Sequence, residues 1–126
     1  MDRIKLTAVA RNQLATIKRR TGIEHNNVIC RHALCISLAN PSIPPEENYV
    51  FSGGLEIDWR VLTGGKESLY YNLLITRMES DSIPLDEEQV RLTFTQHVHR
   101  GLSYLTSRRD EDLLVGMARD IVGLPT

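Results

Sequence analysis

The sequence predicts one compact, mainly helical domain with little strand, over residues 1–126. Three observations support this fold class. Apolar residues near the amino terminus recur at the three- and four-residue spacings of a helix face, prolines and glycines divide the remaining chain into segments of helical length, and strict alternation is confined to short stretches. Hydrophobic residues make up 41% of the chain and charged residues 25%, which is the balance of a globular domain with one modest core.

A strand and a helix are predicted at the amino terminus. In RIKLT, Ile4 and Leu6 alternate with polar residues, as in a half-buried strand. Thr7 is placed to cap a helix, and Gly22 is expected to end that helix in the left-handed conformation that favours glycine. One apolar stripe would face the core: Leu6, Ala10, Leu14 and Ile17.

A second helix is predicted from a cap at Asn26 or Asn27 to about Ala39, which completes a strand-helix-helix unit over residues 1–40. This helix is apolar on nearly every side. Such a helix is expected to be buried on several sides, which in a short chain indicates an oligomer interface. Its main polar exceptions are Arg31, His32 and Ser37.

Residues 41–126 are predicted to form a helical extension of this unit. NPSIPPEEN contains three prolines and indicates a loop, and YVFSGGLEIDWRVLTGG, with two Gly-Gly pairs, is interpreted as irregular or weakly stranded. Three helices should follow, the second of them entered through Pro84 and capped by Asp86. Their expected extents are about Lys66 to Glu79, Asp86 to Thr106 and Asp110 to Val122.

The formal net charge of −1 hides an asymmetry along the chain. Residues 1–40 carry seven Lys and Arg against two Asp and Glu, a balance of +5. The remaining residues carry eight Lys and Arg against fourteen Asp and Glu, a balance of −6. A basic first third joined to an acidic remainder suggests that one end meets a polyanion while the other meets protein or solvent.

The order of strand, helix, glycine turn and helix is the plan of a ribbon-helix-helix unit, in which strands from two chains pair and present alternate side chains to DNA. The outward residues here would be Arg3, Lys5 and Thr7, all able to contact phosphates or base edges. The start of the second helix, near Asn27, offers backbone N–H groups suited to a phosphate. The alternative interpretation is that the charged strand is only a solvated edge.

Three consecutive cations, Lys18, Arg19 and Arg20, end the first helix. Cations in a last turn stabilise the negative end of the helix dipole by about 0.3–1 kcal/mol each, which explains them without a ligand. Arg11, seven residues before Lys18, lies on the same helix face and favours a surface that binds a polyanion.

The segment TGGKE is only superficially similar to a nucleotide-binding loop, which needs a glycine at position 60 and Ser or Thr after the lysine. This chain has Arg60 and Glu67 there, which argues against ATP hydrolysis. Lys66, behind two glycines at a helix start, could hold a single backbone phosphate. A flexible helix entry is the favoured interpretation.

Catalytic and metal motifs are not evident in the sequence. His97 and His99 are two apart, so on a helix they diverge by about 200° and cannot chelate one ion; we expect surface or interface histidines. Cys30 and Cys35 turn to different faces and are expected to be free, reduced, buried thiols. The sequence therefore predicts no enzyme, no cofactor and no metal. Aromatic residues are assigned to core or interface: Trp59, Tyr70 and Tyr71.

The segments RIKLTAVARNQLATIKRRTGIEHNNVICRHALCISL, GLEIDWRVLTGG and LYYNLL resemble the DndE family of DNA sulfur-modification proteins. The resemblance implies participation in phosphorothioation, where sulfur replaces a non-bridging oxygen of the DNA backbone, together with a cysteine desulfurase, an iron-sulfur protein and an ATPase. The chain has the motifs of none of these partners, so a non-catalytic subunit that contacts DNA or organises the complex is expected. The resemblance also implies a homo-oligomer, a tetramer.

The predicted function is binding of duplex DNA through its backbone, with a preference for nicked duplex as a further hypothesis. Two alternatives stay open: a sequence-specific ribbon-helix-helix repressor, and a pure scaffold for partner proteins. We expect a cytoplasmic protein, because no apolar run approaches a membrane span and no secretory segment follows the charged amino terminus. The candidate DNA-binding residues are Arg3, Lys5, Arg11, Lys18, Arg19, Arg20, Asn27 and Lys66.

Overall fold

A computed structural model describes residues 1–108 of the chain, so the predicted helix from Asp110 to Val122 lies outside the described residues. In chain order the elements are β1 (Arg3–Leu6), α1 (Ala8–Thr21), α2 (Asn26–Ala39), β2 (Leu55–Asp58), α3 (Trp59–Leu62), α4 (Glu67–Ser80) and α5 (Glu87–Ser107). The prediction of a mainly helical protein is confirmed, with a single two-stranded sheet within residues 1–108.

Helix α1 begins and ends as its sequence predicts. The Thr7 hydroxyl accepts a hydrogen bond from the Ala10 N–H at 3.1 Å, which satisfies one of the donors that a helix start leaves without a partner. Gly22 closes the helix with φ at 76° and donates its N–H to the Lys18 carbonyl at 2.9 Å. All four residues of the predicted stripe are buried: Leu6, Ala10, Leu14 and Ile17.

Helix α2 is buried mainly by α5 of the same chain. Gly101 of α5 lies so close to α2 that a Cβ there would stand 1.9 Å from the Ala33 carbonyl oxygen, which only glycine permits. The prediction that α2 is buried on several sides is confirmed, and the burial comes from the same chain, while Cys35 and Ala39 remain exposed. This burial therefore no longer indicates an oligomer interface. The predicted caps are wrong: His25 takes the cap position, Asn26 is the first helical residue, and no side chain caps the helix.

Strand β1 pairs antiparallel with β2 of its own chain, with Ile4 opposite Ile57 and Leu6 opposite Leu55. The predicted strand-helix-helix order is present, but in this structure β1 finds its partner within the chain and not in a second copy. Arg91 of α5 also donates to the Arg3 carbonyl at 3.2 Å, so α5 reaches the strand too. The stretch interpreted as irregular or weakly stranded thus supplies β2 and, directly after it, the short helix α3.

Helices α4 and α5 lie within one residue of their predicted bounds. Asp86 caps α5 as expected, its carboxylate accepting from the Gln89 N–H at 3.0 Å. Trp59 is a core residue, packed edge-on against Phe94 with ring centroids 5.2 Å apart. None of the helices within residues 1–108 is both long and apolar enough to cross a membrane.

The two cysteines are not joined in a disulfide, and they differ in exposure. Cys30 is buried, and burial raises the pKa of its thiol to about 12, so it is an inert core residue. Cys35 is exposed, which corrects the expectation that both thiols are buried. The five-residue separation that turns the two side chains apart also turns one of them out of the core.

Candidate nucleic-acid interface

The outer face of the two-stranded sheet carries two of the predicted DNA-binding cations. Arg3 and Lys5 are both exposed, whereas Thr7, the third residue expected to point outward, is buried as the cap of α1. The strand pairing sets Arg3 opposite Asp58 and Lys5 opposite Glu56, so the face alternates in charge. The Arg3 guanidinium forms an ion pair with Glu56 at 3.1 Å. Exposed pairs of this kind contribute little stability, typically about 0–1 kcal/mol, and a phosphate could replace the carboxylate.

The three cations that were predicted to form one cluster do not lie on the same side of α1. Arg11 and Arg19 are exposed and Lys18 is partly exposed, and none of the three forms an ion pair within residues 1–108. Arg20 turns to the opposite side of the helix and donates to the carbonyl oxygens of Thr106, at 3.0 Å, and Arg108. Arg20 thus holds the carboxyl end of α5, a contact between distant segments that no local pattern could reveal.

The amino end of α2 and the last turns of α1 border one cleft of about 380 Å³. Lys18 and the cap residue His25 line it together with Asn26 and Asn27, whose backbone N–H groups belong to the uncapped first turn. The Asn27 side chain donates to the Val61 carbonyl at 3.3 Å, so it joins α2 to α3. The same cleft is also lined by three acidic residues: Glu24, Glu56 and Asp58.

Glu56 connects three of the predicted cations. It forms the ion pair with Arg3, stands opposite Lys5 in the sheet and lines the same cleft as Lys18. A single carboxylate therefore offsets part of the positive potential of the sheet face and of the cleft. Sequence reasoning missed this residue, because the strand β2 that carries it was interpreted as irregular.

Lys66 lies apart from this cleft. It is exposed at the entry of α4, behind Gly64 and Gly65, whose positive φ values of 61° and 84° form the turn. Arg31 of α2 fixes the loop by donating to the Leu62 carbonyl at 3.0 Å. Lys66 does not line the cleft that contains Lys18.

His97 and His99 are buried, which corrects the expectation of surface or interface histidines. They diverge as their spacing requires. His97 lies 2.8 Å from the Ser37 hydroxyl, and burial, followed by the nearby Arg77, lowers its pKa to about 4. His99 donates from Nδ1 to the Thr95 carbonyl at 2.7 Å and accepts from the Thr7 N–H at Nε2, so it is neutral, and burial lowers its pKa. Within residues 1–108 no group of three or more His, Cys, Asp or Glu is arranged to hold a metal ion.

The carboxyl end of α2 is closed by two arginines that sequence reasoning missed. Arg77 of α4 donates to the Leu38 carbonyl at 2.9 Å and pairs with Asp81 at 2.7 Å. Arg100 of α5 donates to the Ser37 carbonyl at 2.7 Å and to the Ser37 hydroxyl at 2.8 Å. Charge-assisted bonds to helix-end carbonyls are favourable because they satisfy acceptors that the helix leaves open. These cations are therefore occupied within the fold.

The surface formed by β1, α1 and the start of α2 has exposed cations and backbone N–H groups without a side-chain cap. Both kinds of group bind phosphate oxygens. Residues 3–112 match the family DndE, described as DNA sulphur modification protein DndE. A comparison with curated proteins gives no significant match.

Proposed function

The chain belongs to the DndE family of DNA sulphur modification proteins, and from this premise we propose that it is a non-catalytic subunit that holds duplex DNA by its backbone while other proteins carry out the modification. Participation in DNA sulfur modification follows from the family. The role of DNA holder is the proposal, and the charges of α1 and of the start of α2 support it.

One observation supports this proposal most directly: Lys18 and the uncapped first turn of α2 line the same cleft. A cation and several backbone N–H donors can then reach one phosphate. Arg11 is one heptad before Lys18, about 10 Å along the helix, and Arg19 is exposed beside it. Such contacts position a protein on DNA without reading its sequence.

A preference for nicked duplex extends the proposal. Sulfur replaces an oxygen of the backbone, so a protein that presents a backbone to that chemistry gains from binding where the backbone is open or distorted.

The proposal is tested by fluorescence anisotropy with labelled duplexes of two unrelated sequences, each intact and nicked, over a salt series. The double variant Lys18→Ala, Arg19→Ala should weaken binding tenfold or more, because two phosphate contacts are lost. The slope of log affinity against log salt should become less steep by about two. Arg20 is left unchanged, because its contacts hold α5.

The matched control is Arg60→Ala, Lys66→Ala, which changes the net charge equally but leaves α1 and the start of α2 unchanged. Equal loss of affinity in both double variants would mean that only net charge matters and would remove the proposed face. Absence of salt-sensitive binding would leave the protein scaffold as the function. Equal affinity for nicked and intact duplexes would contradict the preference for nicked DNA but not the binding of the duplex backbone.

The sequence-specific repressor is the weaker alternative. Arg3 and Lys5 would have to read bases, yet they alternate with Glu56 and Asp58 on the sheet face, and β1 already has a strand partner. Carboxylates beside base-reading cations disfavour entry into a DNA groove. If Arg3→Ala, Lys5→Ala changes which of the two duplex sequences is preferred, the repressor gains over the backbone holder.

We further propose that the chain assembles into a homo-oligomer, a tetramer, and contacts other proteins of the modification system. The support comes from α4, where Leu69 and Leu73, four residues apart and therefore on one face, are both large, apolar and exposed. Neighbouring exposed apolar residues on one helix are typical of a protein-protein contact. The acidic remainder of the chain lies mostly outside the DNA-facing elements and remains available to basic partners.

A further inference from the structure

One cavity within the described residues is distinct from the proposed DNA interface. It has a volume of about 510 Å³ and lies between the amino end of α1, the loop of residues 44–52 and the middle of α5. It borders Val9, about 14 Å along α1 from Lys18. A volume of this size is typical of sites for small molecules or for the end of a peptide.

The first turn of α1 borders this cavity. Ala8 and Val9 occupy the first turn of the helix and line the cavity, and their N–H groups have no acceptor within residues 1–108. The Thr7 hydroxyl accepts from the Ala10 N–H and lies 3.2 Å from His99 Nε2, so it does not reach the N–H groups of Ala8 or Val9. The first turn contains no acidic residue that could offset the positive end of the helix dipole.

Gln96 gives the cavity a polar side chain in addition to the backbone of α1. Its side chain is 8% exposed and lines the cavity, and its amide makes no hydrogen bond within residues 1–108. The amide atoms are not among the fully buried polar atoms without a partner, so they are open to the cavity and available to a ligand there. The neighbouring polar groups are already occupied, since His99 bonds Thr7 and Thr95, and Gln13 bonds Ser103.

The other walls restrict the chemistry of the ligand. Val9 and Val50, both 66% exposed, and Pro44 and Pro45 give the cavity an aliphatic side. Glu47 also lines it and repels any anion, so a ligand with a single negative charge is disfavoured less than a multiply charged group such as phosphate. Burial, followed by Glu47, raises the pKa of Tyr49 to about 12, so this lining residue keeps its hydroxyl proton as a donor.

We propose that this cavity binds an organic carboxylate with an aliphatic body, such as the carboxyl terminus of a peptide ending in leucine. The carboxylate would accept from the Ala8 and Val9 N–H groups and from the Gln96 amide, and the aliphatic side chain would lie against Val9 and Val50. Capture of a carboxylate by backbone donors is a known mode of peptide recognition. The site does not depend on DNA binding, so the two proposals can fail separately.

The test is titration of the full, ¹⁵N-labelled chain with N-acetyl-leucine, followed by amide NMR. Shifts are expected at Ala8, at Val9 and at the Gln96 side chain, with a dissociation constant of about 1 mM for so small a probe. N-acetyl-leucinamide, which has the same body without the charge, should bind at least tenfold more weakly. Equal binding of acid and amide, or shifts elsewhere in the chain, would overturn the proposal.

Two variants locate the site. Gln96→Leu should weaken the acid at least fivefold, while Gln89→Leu, at the start of the same helix, should leave it unchanged. Val9→Asp places a carboxylate in the exposed first turn, where it should fold well and block the acid; Val9→Asn is its uncharged control. Unchanged affinity in Val9→Asp would refute the site even if Gln96→Leu does not fold.

A final titration distinguishes a protein carboxyl terminus from a small organic acid as the source of the carboxylate. The peptide N-acetyl-Ala-Ala-Ala-Leu ends in the same group as N-acetyl-leucine. Tenfold tighter binding of the peptide would identify a protein terminus as the ligand, and equal binding would identify a small molecule. Binding of neither compound would overturn the proposal.

Discussion

The two ends of α2 differ in whether side chains bind their open backbone groups. At the carboxyl end, Arg77 and Arg100 donate to the carbonyls of Leu38 and Ser37, and the end is closed. At the amino end His25 offers no side-chain cap, and the first turn faces a cleft. The positive pole of the helix dipole is thus left accessible, while the negative pole is neutralised within the fold.

The comparison shows that the charge asymmetry of the sequence is in part an asymmetry of roles, with Arg20 and Arg31 as the cations of the first third that also hold the fold. Arg77 and Arg100 come from the acidic remainder of the chain and are used to hold the fold. Arg11, Lys18 and Arg19 come from the basic first third and lie at the surface. Cations that are not needed for structure are the ones free to meet a polyanion, which is why the proposed interface is limited to the first third.

The greatest loss of stability is expected from a substitution at the carboxyl end of α2. Arg100→Ala removes bonds to Ser37, Asn40 and Ser42 and leaves their carbonyls to be solvated at a partly buried site. The free energy of unfolding should fall by about 3 kcal/mol, measured by urea denaturation. Arg100→Lys should recover only part of it, because an ammonium cannot reproduce the fork of a guanidinium.

The matched control is Arg19→Ala, which removes an exposed arginine and should change stability by no more than about 0.5 kcal/mol. If both substitutions cost the same, the arginines of α4 and α5 are not structural. The contrast between the two ends of α2 would then be lost.

The next effect is a dependence of stability on pH at the same end. Arg100 donates to the Ser37 hydroxyl, so that hydroxyl donates its own hydrogen to His97, which must be neutral to accept it. The folded pKa of about 4 lies below the ordinary 6.5, so the unfolded chain binds the proton more readily. Stability should therefore fall as the pH drops from about 6.5 toward 4, by about 2 kcal/mol at pH 5.

His97→Gln should flatten this part of the profile, measured by denaturation between pH 7 and pH 4.5. His25→Gln, which removes an exposed histidine at the open end, should leave the slope as it is. An unchanged slope in His97→Gln would mean that acid acts through other groups. Arg77, Arg100 and Asp81 are the charged groups facing His97, and the opposing sign of Asp81 limits the shift.

The helices were predictable because their signals are local. The cap at Thr7, the stop at Gly22 and the cap at Asp86 each depend on residues within one turn, and their bonds are present. The pairing of β1 was not predictable, because β2 lies some 50 residues along the chain and its short alternation is interrupted by glycines. Local patterns show that a strand exists and do not show which strand it joins.

The candidate site was predictable only in part, for the same reason. The sequence identifies Lys18 and Arg19 as cations of one helix end, and both remain at the surface. It could not show that Arg20 binds α5 or that Glu56 stands beside Arg3, because both contacts join distant segments. Gln96 looked like an ordinary helical residue, and only its burial beside a cavity distinguishes it.

A small change in DNA affinity is expected from a substitution near the amino end of α2. Glu56→Gln removes the carboxylate shared by Arg3, Lys5 and the cleft of Lys18, and frees the Arg3 guanidinium for a phosphate. DNA affinity should rise about threefold, and the salt slope should steepen by about one, in the same anisotropy assay. Glu79→Gln on α4 changes the net charge equally and should raise affinity less. If the two variants behave alike, Glu56 does not compete with DNA, and the sheet face is not part of the interface. A larger effect of Glu56→Gln would mean that β1, α1 and the start of α2 form one binding surface.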